Sequence, residues 1–128
     1  MRARGQHQAC RLYVHLTWHT YLSEPIIRAP LVPTVVNSVL NAAKRTRCLV
    51  LAQGVLSDHI HVLIRCAPDA TISAFVREAK SESSRLVGKG LRWQRGYHAD
   101  SISKTHLLRV RQYIAGQFKH HPDKIPPG

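Results

Sequence analysis

The chain has 128 residues, the size of a single domain, which largely excludes modular architectures and multi-blade repeats. Lys and Arg number 19 against 7 Asp and Glu, giving a formal net charge of +12 that favours a polyanionic partner, with nucleic acid as the first expectation. A content of 44% hydrophobic and 20% charged residues is typical of a globular chain. No apolar run approaches the roughly 18 residues of a membrane-spanning helix, and no apolar signal core follows Met1–Gln8. We therefore expect a cytoplasmic protein with no membrane contact.

Apolar residues alternate from Leu12 to Trp18, which predicts a half-buried strand. Pro25 and Pro30 then interrupt regular structure, and Pro33 stands at the favoured first position of a helix. Helical spacing of apolar residues predicts that this helix spans residues 32–47, with basic residues in its last turn where the helix dipole favours cations.

The next stretch predicts a β-hairpin followed by a helix. Residues 48–56 are typical of a buried strand, Ser57-Asp58 of a tight turn, and residues 59–66 of a second strand. Amphipathic spacing then predicts a helix from Thr71 toward Gly88.

Residues 91–102 give a weaker strand pattern. Ser103 stands where it could cap a last helix continuing through Phe118, and residues 122–128, rich in proline, indicate a tail. The order of elements predicts a ferredoxin-like α+β fold: a four-stranded antiparallel sheet, two helices on one face and an added C-terminal helix. We expect one domain over residues 1–128, with flexible ends at 1–10 and 122–128.

Three cysteines, Cys10, Cys48 and Cys66, are spread along the chain without a C-x-x-C pair. This spacing favours neither a zinc site nor a redox dithiol, and each cysteine is predicted to be a small buried hydrophobe.

His59 and His61 flank Ile60 within the second strand of the hairpin. Because side chains alternate along a strand, both imidazoles project from the face opposite Ile60, with Cα atoms about 6.6 Å apart. Two rings at this spacing can converge on one metal ion, although a pair of satisfied histidines is the more common meaning of H-x-H alone.

Tyr113 and Gln117 lie one turn apart on the predicted last helix, where a pair of this kind usually serves packing. In combination with the histidine pair they indicate a catalytic site, because a tyrosine with a pKa near 10 needs activation to act as a nucleophile at neutral pH. A cation held by His59, His61 and Gln117 could polarise a phosphoryl oxygen and orient a scissile phosphate in line with Tyr113.

Four blocks, in order, resemble those of single-tyrosine HUH transposases, the small insertion-sequence transposases and their relatives associated with repetitive extragenic palindromes. The blocks are D-H-I-H-V-L-I at 58–64, K-S-E-S-S-R at 80–85, W-Q-R-G-Y at 93–97 and V-R-Q-Y-I-A-G-Q at 110–117. The similarity runs from about Leu12 to His121.

The resemblance implies a metal-dependent single-stranded DNA endonuclease and strand transferase that needs no ATP. His59 and His61 match the histidine pair, Gln117 matches a further metal ligand, and Tyr113 matches the nucleophile that forms a 5′-phosphotyrosine intermediate. The implied cofactor is a divalent metal, Mg or Mn; imidazole ligands suit manganese and would also accept zinc.

The resemblance also implies partners: single-stranded DNA folded into hairpin ends, and a second copy of the chain in a homodimer. Basic side chains that could contact DNA phosphates are Lys44, Arg77, Lys80, Arg85, Arg92, Arg95, Arg109 and Arg111.

The chain departs from the family pattern at two places. Ser57 stands where relatives often have proline, and the tail after His121 is short and proline-rich rather than helical. An alternative hypothesis is a catalytically inactive or domesticated basic nucleic-acid-binding domain of the same fold. Other H-x-H enzymes fit less well, since a histidine-triad hydrolase needs a histidine where Leu63 stands and a cupin needs more strands.

Overall fold

The computed structural model describes residues 12–128 as a four-stranded antiparallel sheet combined with helices. The strands are β1 (Leu12–His19), β2 (Cys48–Val55), β3 (His59–Cys66) and β4 (His98–Ile102), and the helices are α1 (Val32–Arg45), α2 (Ile72–Val87), α3 (Leu107–Ala115) and α4 (Gln117–His120). The strand order is β2-β3-β1-β4, with every neighbouring pair antiparallel. The predicted α+β architecture with an added C-terminal helix is confirmed. The predictions for residues 1–10, Cys10 included, lie outside the described residues.

The main core lies between one face of the sheet and helices α1 and α2. Val14, Leu16 and Trp18 alternate along β1 and point into this layer, as predicted from the sequence, because successive side chains of a strand face opposite sides. The residues that meet them from the other elements are Ile60, Val62 and Ile64 of β3, Val35, Val39, Ala42 and Ala43 of α1, and Phe75, Val76 and Ala79 of α2. The opposite face of the sheet carries the polar side chains of β1 and β3 together with the buried Leu63 of β3.

Helices α1 and α2 are also joined by a buried carboxylate. Glu82 is 7% exposed; it accepts one hydrogen bond from Asn41 Nδ2 at 2.8 Å and forms an ion pair with Arg45 at 2.8 Å. A buried carboxylate is tolerated when its oxygens are paired in this way.

The connection between α2 and β4 differs from the prediction of a strand over residues 91–102, since only His98–Ile102 are extended in the sheet. Gly88, with φ of +82°, ends α2 in a conformation that side chains disfavour. Beyond it, Lys80 Nζ donates to the carbonyls of Gln94 at 2.8 Å and Gly96 at 2.6 Å. Residues 93 and 94 keep only a local contact with the end of β1, through the Thr20–Trp93 bridge and the bond from Gln94 N–H to the His19 carbonyl at 2.8 Å. Gly96, with φ of +82°, then interrupts the extended chain before β4.

The predicted last helix is divided in two. Ser103 Oγ bonds His106 Nδ1 at 2.7 Å and does not cap a helix, a 3₁₀ turn covers Lys104–His106, and α3 begins only at Leu107. The helix breaks at Gly116, after which α4 completes one further turn.

Residues 122–128, expected to be a flexible end, fold back onto the domain. The Lys124 carbonyl accepts from Ser57 N–H at 2.8 Å, the Pro127 carbonyl accepts from Ala29 N–H at 2.6 Å, and Pro126 is buried.

Cys48 and Cys66 face each other across β2 and β3, with their sulfur atoms 3.7 Å apart and both thiols free. Cys66 is buried, as predicted, and Cys48 is half-buried. Within residues 12–128 we find no helix whose length and hydrophobicity would let it cross a membrane.

Candidate active site

His59 and His61 lie on the sheet face opposite α1 and α2, as strand alternation predicted. Ile60 points into the core, whereas the two imidazoles project from the other side. The residues are 6% and 8% exposed. Their Nε2 atoms are 3.2 Å apart, so the two rings converge on one point.

His59 is oriented by the residue before it. Asp58 Oδ1 accepts a hydrogen bond from His59 Nδ1 at 2.6 Å, which fixes the proton on Nδ1 because a carboxylate can only accept. Burial lowers the pKa of His59, and the bond to Asp58 offsets this only in part. Burial raises the pKa of Asp58, but hydrogen bonds from Lys124 and His59 outweigh it and leave the pKa below its ordinary value. A neutral His59 therefore presents the lone pair of Nε2.

His61 is held from β1, which is paired with β3. His15 Nε2 lies 2.9 Å and Thr17 Oγ1 3.2 Å from His61 Nδ1. Burial, with the neighbouring His59 and His15, lowers the pKa of His61 to about 3. The ring is accordingly neutral at pH 7, and when its proton lies on Nδ1, toward His15 or Thr17, the lone pair of Nε2 is free to act as a ligand.

Helices α3 and α4 pack across β2 and β3 and bring Tyr113 and Gln117 to the same face of the sheet. Gly54, the register partner of His61, makes room for them: a Cβ at this position would lie 3.0 Å from the Ile114 carbonyl oxygen and 3.2 Å from Gln117 Cγ. The absent side chain therefore allows the helix backbone to approach the sheet closely.

Tyr113 and Gln117 differ sharply in exposure. Tyr113 is 40% exposed, with its ring centroid 6.2 Å from that of His61, so its phenol is accessible beside the histidines. Gln117 is 1% exposed, and its Nε2 donates to the Tyr113 carbonyl at 3.3 Å. Gln117 Oε1 is buried and has no hydrogen-bond partner among the described residues.

These donors fit a divalent cation. Over residues 12–128 no set of three His, Cys, Asp or Glu side chains is arranged to hold a metal. The buried and unpartnered Gln117 oxygen is a donor of the type that Mg²⁺ and Mn²⁺ accept. The 3.2 Å between the Nε2 atoms of His59 and His61 is close to the separation of about 3 Å between adjacent ligands of a small octahedral ion. Two imidazoles and one amide oxygen suit Mn²⁺, and an amide oxygen also suits Mg²⁺.

Further aromatic rings surround the histidine pair. His19 stacks on His59 with centroids 4.9 Å apart, and His121 meets the edge of His59 at 5.7 Å. His120 lies against the Tyr113 ring at 4.7 Å.

Sequence reasoning did not assign His15, Asp58, Lys124 or Gly54 to the site. Alternation along β1 does place His15 on the face opposite Leu16, and Asp58 directly precedes the histidine pair, so both left a local signal. Lys124 and Gly54 left none, because their contacts form only between distant parts of the chain.

The family model for IS200-like transposases matches residues 8–117. The chain belongs to this transposase family. The ISDra2 transposase TnpA of Deinococcus radiodurans is 22% identical over 126 residues, covering 89% of each chain. Two solved structures share the fold of this transposase. A transposase from D. radiodurans R1 gives a TM-score of 0.64 at 22% identity, covering 84% of this chain and 91% of its own. A REP-associated tyrosine transposase bound to a REP hairpin gives a TM-score of 0.74 at 17% identity, and the match covers 86% of this chain and 68% of that chain.

The basic residues predicted to contact DNA are distributed over several surfaces of the transposase. Arg109 and Arg111 lie exposed on α3 with Tyr113, and Arg92 and Arg95 lie in the connection before β4, whereas Lys44, Arg77 and Arg85 are exposed on the helices that cover the other face. Lys80 holds the carbonyls of residues 94 and 96 and is committed to the fold. Arg92 stacks 3.8 Å over the Tyr21 ring.

Proposed function

We propose that this transposase is a metal-dependent single-stranded DNA endonuclease and strand transferase, with Tyr113 as nucleophile and His59, His61 and Gln117 as ligands of Mg²⁺ or Mn²⁺. The observation that carries the proposal is the convergence of the Nε2 atoms of two neutral imidazoles beside an exposed phenol, with a buried and unpartnered amide oxygen four residues after that phenol. Membership of the family supports this assignment of roles.

A divalent cation bound here would polarise a phosphoryl oxygen and neutralise part of the negative charge that develops during transfer. The protein contributes orientation. His59 and His61 are fixed in direction by Asp58 and His15, and Gln117 is anchored to the Tyr113 carbonyl. This bond ties the amide ligand in α4 to the residue of the nucleophile in α3 across the break at Gly116.

In the proposed reaction the Tyr113 oxygen forms a bond to the scissile phosphorus and the bond from phosphorus to the 3′ oxygen breaks. The phenol proton passes to solvent, and the leaving oxygen takes a proton to become a free 3′-hydroxyl. A second 3′-hydroxyl can later attack the phosphotyrosine and release Tyr113, so the phosphodiester energy is retained and no ATP is consumed.

Single-stranded DNA with hairpin ends is the proposed substrate. The structural neighbour bound to a REP hairpin and the net charge of +12 support this choice. Arg109 and Arg111, exposed on the helix of Tyr113, are the basic residues best placed to meet DNA at the site. A homodimer remains a prediction; it is not required to bring the histidines and a tyrosine together, because both lie on one face of a single chain.

The decisive experiment incubates a 5′- and 3′-labelled hairpin oligonucleotide, taken from palindromes that flank the gene, with protein and Mn²⁺. We expect a covalent protein–DNA adduct that disappears in Tyr113→Phe and after chelation with EDTA, and that returns when Mn²⁺ is restored. Tyr97→Phe is a matched control, because Tyr97 is 41% exposed and Tyr113 40% exposed. Adduct of equal yield in Tyr113→Phe would exclude this tyrosine as the nucleophile. Hairpin binding with no adduct from the unmodified protein would favour the inactive, domesticated alternative.

A further inference from the structure

The C-terminal segment, residues 122–128, is attached to the turn that precedes the histidine pair. Its backbone is anchored independently of its side chains, through the Lys124 carbonyl bonded to Ser57 N–H and the Pro127 carbonyl bonded to Ala29 N–H. Pro126 is buried against the domain. The segment therefore has a fixed path beside the candidate site.

Along this path the Lys124 ammonium reaches the carboxylate that orients His59. Lys124 Nζ lies 2.9 Å from Asp58 Oδ2, while Asp58 Oδ1 accepts from His59 Nδ1 at 2.6 Å. The Lys124 side chain is 37% exposed, whereas those of Asp58 and His59 are 9% and 7% exposed. Successive contacts therefore connect the partly exposed ammonium group of Lys124, through the Asp58 carboxylate, to the buried imidazole of His59.

We propose that Lys124 is a positioning residue of the candidate metal site: it holds the Asp58 carboxylate so that His59 keeps its proton on Nδ1 and presents Nε2 to the cation. This inference rests on the proposed function, in which His59 is a metal ligand. It assigns to the proline-rich C-terminal segment a part in the site, where the sequence indicated only a tail.

The physical argument concerns the freedom of the carboxylate. Asp58 uses one oxygen for His59 and the other for Lys124, so rotation of the carboxylate would break both bonds. Without Lys124, one oxygen loses its partner and the carboxylate can turn toward water. The Nδ1 proton of His59 is then held less firmly, and molecules protonated at Nε2 cannot bind a metal through that atom.

A purely structural role for Lys124 would be to fasten the segment. The backbone bonds of residues 124 and 127 already do this and do not involve the ammonium group. The tautomer of His59 therefore distinguishes positioning from fastening.

The first test is long-range ¹H–¹⁵N NMR of the imidazole nitrogens in the full-length, metal-free protein. We expect His59 to be the Nδ1–H tautomer in the unmodified chain and in Lys124→Arg, which retains the charge, and to shift toward a mixture of tautomers in Lys124→Ala. Lys119→Ala removes the same charge from an exposed site in α4 and should leave the spectrum of His59 unchanged. An unaltered tautomer in Lys124→Ala, or an equal change in the Lys119→Ala control, would overturn the proposal.

The second test measures Mn²⁺ binding by titration followed with electron paramagnetic resonance. Changes to groups that orient metal ligands typically weaken metal binding by about 10- to 100-fold, and we expect Lys124→Ala to lie near the lower end, at about tenfold. Lys124→Arg should restore affinity, which shows that the loss does not come from unfolding. Affinity equal to that of Lys119→Ala would count against a positioning role. The NMR test of the His59 tautomer needs neither metal nor DNA. The role of Lys124 and the nuclease activity, which the Tyr113→Phe assay tests, can therefore fail independently of each other.

Discussion

Gly54 is predicted to control how closely the tyrosine-bearing helix docks on the sheet. In Gly54→Ala the new Cβ would lie 3.0 Å from the Ile114 carbonyl oxygen and 3.2 Å from Gln117 Cγ, both shorter than the 3.4 Å at which ordinary contact begins. The carbonyl must therefore retreat by about 0.4 Å, and the side chain of Gln117 must move with it.

The expected cost follows from two opposing effects. Overpacking of this kind costs about 1–3 kcal/mol. Replacing glycine by alanine also reduces the conformational entropy of the unfolded chain, which stabilises the folded state by about 0.4–1 kcal/mol. We expect the free energy of unfolding to fall by about 0.5–2 kcal/mol, with a shift in Tm of about 3–5 °C per kcal/mol for a chain of this size. Because Gln117 is the displaced group, the rate of adduct formation should fall by about tenfold.

Gly90→Ala is the matched control. The nearest atom to its new Cβ is Val87 Cγ1 at 3.6 Å, an ordinary contact, and we expect unchanged or slightly raised stability and full activity. Urea unfolding gives the stability of both variants, and single-turnover adduct formation gives their activity. If Gly54→Ala were as stable and as active as Gly90→Ala, the close approach of helix and sheet would not be what positions Gln117.

Three further predictions concern the site and the core. In His15→Ala, His61 loses the neighbour at 2.9 Å that orients it, and we expect Mn²⁺ affinity to fall by about tenfold; an unchanged dissociation constant in calorimetric titration would contradict this. Phe75→Ala empties a fully buried position and should cost about 3–5 kcal/mol in urea unfolding, well above the value for an exposed substitution. The hydrogen bond from Asn41 and, after it, the ion pair with Arg45 lower the pKa of Glu82 below its ordinary value of 4.5. The ionised Glu82 side chain therefore stabilises the fold above pH 4.5, and this stabilisation is lost as the pH falls through the lowered pKa. Glu82→Gln should therefore reduce the acid sensitivity of Tm, and an identical pH profile in the variant would refute the assignment.

The elements with strong periodicity were predictable from local sequence, and those held by distant contacts were not. Strand β3 and helix α2 lie close to the predicted bounds because alternation and helical spacing are properties of consecutive residues. The strand predicted over residues 91–102 is absent before His98, where Gly96 turns the chain at φ of +82° and Lys80 Nζ bonds the carbonyls of residues 94 and 96 from another element. Gly116 lies within the last predicted helix, and the actual break there separates Tyr113 from Gln117 without losing the bond between them.

For this transposase the amino-acid sequence by itself determined the class of fold, the positive charge and the placement of His59 and His61 on one face of a strand. These properties depend on composition and on the twofold repeat of an extended chain, which neighbouring residues specify. Only the tertiary structure decided that His15 orients His61 from 46 residues away, that Lys124 meets Asp58 across 66 residues, and that Gly54 admits helices α3 and α4, which carry Tyr113 and Gln117. Such contacts arise when separate elements pack together, and the direction and spacing of that packing are not encoded in any short stretch of the chain.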